Sequence, residues 1–197
     1  MAKDSRQRMV RSAAGLLGSR GASATSFTEV LKQSRAPRGS IYHHFPGGKH
    51  ELVEEAMRWT SQQVVAYQRR CTATTAAGIL EHFVRLFRQS VVSSGCRSGC
   101  PVAGVVVDVY SQDQGVLELC RTSFRAWVSL LTGQLTAIGV PRPRARSLAV
   151  TALASIEGGL ILCRAEASVT PLDTVAQQLG QLAAGAASRR PKALRDA

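Results

Sequence analysis

The sequence predicts an all-α protein of about nine helices, a small three-helix head followed by a larger helical body, and three observations predict it. Apolar residues recur at three- and four-residue spacings along nearly the whole chain, the period of a half-buried helix. Turn and cap signals cut that pattern into segments of helical length. Ala, Gly and Leu dominate the last two segments, as they do where helices pack closely.

Residues 5–20 place Met9, Val10, Ala13, Ala14, Leu16 and Leu17 on one face with arginines opposite, and Gly21 ends that helix. Ser26-Phe27-Thr28-Glu29 reads as a capping box, in which a hydroxyl and a carboxylate satisfy each other's free amides. A short helix over 27–34 then buries Phe27, Val30 and Leu31. Pro37 disfavours helix at Ala36 and suits the first position of a new helix over 37–45, which Pro46-Gly47-Gly48 ends.

A long helix over 49–70, about 33 Å from end to end, carries Leu52, Ala56, Trp59, Thr60, Val64 and Tyr67 at helical spacing. Residues 75–93 form another amphipathic helix, and 95–104, with Cys, Gly and Pro, reads as a loop. The β-branched run 105–109 looks locally like a strand, but a strand here has no partner, so helix is preferred. Helices over 114–138, 143–166 and 171–188 complete the body, the last two opened by prolines. The basic tail 189–197 is expected to be disordered. The domain division is therefore 1–48, 49–188 and the tail.

Charge follows the same division. The net charge is +12, which implies a polyanionic partner, nucleic acid or an anionic membrane surface. Residues 1–50 hold nine Lys and Arg against two acids, residues 51–188 twelve against ten, and the tail four against one. A basic head on a nearly balanced body is the footprint of a nucleic-acid-binding unit joined to a unit with another task.

Two short helices joined by the tight 33–36 connection suggest a helix-turn-helix. On the second, Ile41 and Phe45 face the core, leaving Gly39, Ser40 and His43 free to enter a major groove. Gly39 lets the backbone approach DNA closely. Arg38, Ser40 and His43 are the candidates for reading base edges, with an Arg–guanine pair the favoured contact. Ser26, Thr28 and Lys49 place hydroxyl and ammonium donors beside free helix-start amides, where phosphate binds.

The stretch 25–45, with Gly39-Ser40-Ile41-Tyr42-His43-His44-Phe45 as its core and then Lys49 and Leu52, resembles the DNA-binding domain of the TetR family. Pro46-Gly47-Gly48-Lys49, Gly99-Cys100-Pro101-Val102 and Ile156-Glu157-Gly158-Gly159 resemble its LmrA/YxaF-like branch. The resemblance implies phosphate contacts for Tyr42 and His44 and a dimer formed by the last two helices. It also implies a repressor bound to a pseudo-palindromic operator in double-stranded DNA and released by a small hydrophobic or aromatic effector. An activator or a ligand-independent regulator is the alternative. The chain departs from the family at Pro37, which removes an amide donor, and at Arg35, where Gly is frequent and a phosphate contact is added.

In the body, Leu148, Ala152, Ser155, Gly159 and Leu162 form one small-residue stripe and Val175, Leu179, Leu182 and Ala186 another; the resemblance assigns both to a homodimer interface, the alternative being that they complete the core of one protomer. Under the resemblance, Phe83, Phe87, Tyr110, Phe124 and Trp127 line the effector cavity. Glu157 and Arg164 are candidates to orient the ligand, the alternative being that the two form an exposed or interface ion pair. Tilting the 49–70 helix would then change the spacing of the two DNA-reading heads.

Other function classes are disfavoured. Enzymatic chemistry lacks a phosphate loop, a nucleophile–base pair or a metal cluster in the sequence, so no catalytic residue, metal or cofactor is expected. The five cysteines are widely spread, and Cys96-x-x-x-Cys100 is a weak redox or metal signal. No long apolar run follows the basic N-terminus, so no signal peptide is expected and reduced thiols in the cytoplasm are the simplest reading. No uninterrupted apolar stretch is long enough to span a bilayer, so no membrane partner is expected either.

Overall fold

The computed structural model describes residues 2–108 and 114–187, and all regular structure among them is helical. The helices are α1 (Ala2–Arg20), α2 (Phe27–Ser34), α3 (Ser40–His44), α4 (Gly48–Arg69), α5 (Ala76–Ser93), α6 (Pro101–Val107), α7 (Gln114–Ala137), α8 (Arg142–Glu166) and α9 (Thr170–Ala187). Tyr110, Val109 and the basic tail lie outside the described residues.

In the head, α1 packs against α2, α3 and α4. The apolar face read from the sequence is the one buried: Met9, Ala13 and Leu17 are fully enclosed with Val30, Ile41 and Phe45. Arg6 ties α1 to α4 through both Glu55 oxygens and sits 4.9 Å above the Phe45 ring. The body is a bundle in which α8 contacts α5, α7 and α9, while α4 runs from the head into the body and packs on α7.

Several expectations need correction. The second helix of the motif begins at Ser40, not Pro37, because the Pro37 carbonyl receives both the Ser40 amide at 3.0 Å and the Ser40 hydroxyl at 2.7 Å. Residues 37–39 thus form a turn that caps a helix of five residues. Only half of the capping box forms: Ser26 accepts the Glu29 amide, while the Glu29 carboxylate pairs with Arg20 at 3.3 Å. The 95–104 loop ends earlier than expected, at Cys100, because Pro101 opens α6 as a first-turn residue.

The first stripe assigned to the dimer is largely internal. Leu148, Ala152 and Gly159 are buried within the protomer, and Leu179 of the second stripe is buried with them. Gly159 is small because α9 crosses there; a Cβ at this position would sit 2.9 Å from the Leu172 side chain. Among the described residues, the large apolar side chains left exposed on these helices are Val150, Ile161, Leu162 and Leu182. By length and composition α8 could also cross a membrane, but its apolar core residues pack against α5, α7 and α9.

Candidate DNA-binding surface and effector cavity

The DNA-reading candidates are brought to one surface. Arg38, Gly39, Tyr42 and His43 are exposed on the turn and α3, and Ser26 and Thr28 are exposed at the start of α2. Tyr42 is 69% exposed although its ring meets Phe27 edge-on at 5.5 Å, so packing fixes its direction and leaves the phenol outside. Nothing lies within 4 Å of a Cβ built on Gly39, which leaves the backbone open to approach. Ser40 is half-buried and its hydroxyl is committed to the Pro37 carbonyl, so its first task is to shape the turn.

His44 is half-buried between the rings of His43 and Phe45. The Lys49 ammonium donates to the Ser23 carbonyl at 3.4 Å, which draws the start of α4 to the loop leading into α2. That contact gathers the donors of two helix starts on one side of the head. Sequence reasoning missed Lys32, which shares a surface groove between α2 and α3 with Thr28, Arg38 and Tyr42. Its position in the last turn of α2 reads equally well as a dipole-compensating cation, so the sequence alone did not mark it.

The body and head enclose a cleft of about 290 Å³. Phe87 and Trp127 line it together with Trp59, Gln63 and Val64 of α4 and Cys100, Pro101 and Leu160. Arg11, Ala14 and Gly15 of α1 complete it from the head side. The other aromatic candidates stand behind this wall: Phe83 is fully buried against Phe87 at 5.3 Å, and Phe124 meets Trp127 edge-on at 5.5 Å. Trp59 was legible only as a core residue, because helical spacing does not separate a core ring from a ring facing a void.

Glu157 is not paired with Arg164. The Arg164 guanidinium donates instead to the Ser19 carbonyl at 2.8 Å. The Glu157 carboxyl shares a hydrogen bond with the Cys100 thiol, and its Oε1 is buried without a partner. Burial pushes the Glu157 carboxyl up to about 7, against a smaller opposing effect of the Cys100 hydrogen bond. Burial, and then the neighbouring Glu157 charge, push the Cys100 thiol well above the ordinary range, which keeps it a neutral thiol.

Comparison with known proteins decides the family. Residues 10–56 match the description "Bacterial regulatory proteins, tetR family", and residues 76–178 match "Transcriptional regulator LmrA/YxaF-like, C-terminal domain". The chain belongs to the TetR family of bacterial transcriptional regulators. An uncharacterized HTH-type transcriptional regulator of Mycobacterium tuberculosis is 38% identical over 182 residues, covering 90% of this chain and 93% of the relative. The HTH-type transcriptional regulator LmrA of Bacillus subtilis is 30% identical over 173 residues, covering 86% and 91%.

Among solved structures, a TetR regulator from Legionella pneumophila superposes with a TM-score of 0.79 at 22% identity, over 88% of this chain and 94% of that one. A cysteine mutant of the TetR-family regulator CifR, solved with 26bp double-strand operator DNA, superposes at 0.73 and 16% identity, over 89% and 94%. The TetR-family assignment makes this chain a DNA-binding regulator of transcription rather than an enzyme.

Proposed function

We propose that this TetR-family chain is a repressor that binds a pseudo-palindromic operator as a homodimer and is released by a small hydrophobic or aromatic effector. Arg38, Gly39, Ser40 and His43 enter the major groove, while Ser26, Thr28, Tyr42, His44 and Lys49 hold phosphates. Two copies would set their recognition helices one DNA turn, about 34–36 Å, apart. The exposed Val150, Ile161, Leu162 and Leu182 support α8 and α9 as the joining face. Such a role places the protein in the cytoplasm, beside the DNA it regulates.

The observation that carries ligand release is the make-up of the cleft. Its walls come from α4, α5, α7 and α8 of the body and also from α1 of the head. A molecule filling it presses directly on the helix around which the DNA-reading unit is packed. Phe87, Trp127 and Glu157 then contribute to effector binding, with Phe83 and Phe124 supporting the aromatic wall. By linkage, effector and DNA must weaken each other's binding by the same factor.

The test is a fluorescence-anisotropy titration on an operator selected from genomic fragments, with and without candidate aromatic effectors and at several salt concentrations. Sequence-selective binding with a steep negative salt slope, and effector affinity reduced by saturating operator, are expected. Effector affinity unchanged by operator would refute ligand release, and equal affinity for all DNA sequences would refute operator recognition.

A further inference from the structure

The cleft has polar chemistry that hydrophobic filling leaves unused. Cys100 faces the cleft from the start of α6, and Leu160 faces it from α8. Glu157 lies one turn before Leu160 and does not itself line the cleft; its carboxyl is hydrogen-bonded to the Cys100 thiol and so lies behind that part of the wall. Its Oε1 is shut off from solvent and accepts no hydrogen bond. A buried acceptor left without a donor costs about 1–3 kcal/mol, and such a group in a native protein calls for an explanation.

We propose that the effector of this cleft is an aromatic or otherwise apolar organic cation, an amine whose ammonium displaces the Cys100 thiol from the cleft wall and takes its place as donor to the Glu157 carboxylate. The inference rests on the effector reading above and narrows the class of molecule. An acceptor oxygen requires a donor, and a cationic donor forms a bond roughly twice as strong as a neutral one. The same cation compensates the carboxylate charge that burial otherwise penalises.

The remaining walls agree with this chemistry. Trp59, Phe87 and Trp127 present three aromatic rings, which attract a cation through their faces as well as by apolar contact. The other polar side chains lining the cleft, Thr60, Gln63, Ser90 and Ser98, are uncharged. Two cations stand nearby and neither neutralises Glu157. Arg11 reaches the cleft from the exposed side of α1, where solvent screens it. Arg164 is held by the Ser19 carbonyl.

The two tryptophans of the chain both line the cleft, so its occupancy changes intrinsic fluorescence directly. The experiment titrates the full-length protein with para-tert-butylbenzylamine and, in parallel, para-tert-butylbenzyl alcohol. The two probes have nearly the same shape, and only the first is a cation at about pH 8. The ammonium is expected to bind at least about tenfold more tightly, a difference of about 1.4 kcal/mol. In the Glu157→Gln variant that preference should vanish while alcohol binding stays within about twofold.

Equal affinities in the unmodified protein overturn the inference, as does the absence of a tryptophan response to either probe. A preference that survives Glu157→Gln overturns it as well. The unmodified protein alone decides the first two outcomes, so they do not depend on how the variant folds. Operator release measured in the same samples keeps the two readings apart. An alcohol that binds as well as the amine and releases DNA removes the cation and leaves effector control standing. An amine held by Glu157 that leaves DNA binding untouched does the reverse.

Discussion

The amide of Gly99 donates to the carbonyl of Gly18 at 2.9 Å, a backbone contact between the loop that carries Cys100 and the last turns of α1. The approach is close because neither residue has a side chain. A Cβ on Gly18 would fall 2.6 Å from the Gly99 oxygen, and one on Gly104 would fall 2.7 Å from the Leu17 oxygen. Below this contact, Asp108 accepts the Ser23 amide at 3.0 Å and also the Ser23 hydroxyl. The wall of the cleft is thus joined to the same loop that Lys49 holds by the Ser23 carbonyl.

Gly18→Ala is therefore expected to destabilise the protein by about 1–3 kcal/mol, since the obstructing atom is backbone and the two segments must separate. Gly133 supplies the comparison. It lies in α7, where a Cβ would meet nothing within 4 Å, so Gly133→Ala should stabilise by about 0.5–1 kcal/mol through helix propensity alone. Chemical denaturation of both variants checks the pair. A neutral Gly18→Ala would show that α1 and the 99–104 segment are loosely joined.

How much of the molecule is legible in its sequence depends on what each residue has to satisfy. The helices of the head are readable because Ile41, Phe45 and Val30 repeat at core spacing and Ser26 caps α2 with its own hydroxyl. The start of α3 is not, because Pro37 is compatible with a first helical turn and with the turn that actually forms. The stripe on α8 is visible in the sequence, but its direction is not. Small residues at 152 and 159 admit a close helix equally well from the same chain or from a second copy. The Glu157–Cys100 pair joins residues 57 positions apart, so local spacing holds no sign of it.

At the DNA surface the variants should divide into two kinds. Tyr42→Ala and Lys49→Ala should weaken binding to every sequence and flatten the salt dependence, because the contacts proposed for them are to phosphate. Arg38→Ala and His43→Ala should cost about 1–3 kcal/mol on the operator and relax the choice of base. Anisotropy titrations on operator and scrambled duplexes separate the two patterns. Unchanged operator affinity in all four would refute the proposed surface.

Glu157 makes a signed prediction for stability against pH. Burial raises its carboxyl from the ordinary 4.5 to about 7, so between those values the native state binds a proton that the unfolded chain releases. Stability contributed by this group is therefore full below about pH 4.5 and is lost as pH rises to about 7. The loss is roughly 3 kcal/mol at about 1.4 kcal/mol per tenfold change in proton affinity. Glu157→Gln should remove that slope and leave the protein more stable than the parent at about pH 8. Melting curves across pH 5–8 that coincide in slope for parent and variant would place the carboxyl in water.

The outward side of α8 yields the last prediction. Ile161 is 69% exposed and Val150 47%, whereas Leu148 is 2% exposed on the inward side of the same helix. A negative charge at an interface core leaves a buried ion unpaired, but on a solvated face it costs little. Ile161→Glu should accordingly leave the helical fold intact by circular dichroism and convert the protein to a monomer in sedimentation. Its affinity for a full operator should fall toward that for a half-site, since the two heads no longer bind as one unit. Leu148→Ala should instead lower stability by about 2–5 kcal/mol without changing the association state of the folded fraction. Ile161→Glu sedimenting as a dimer would move the joining face away from α8.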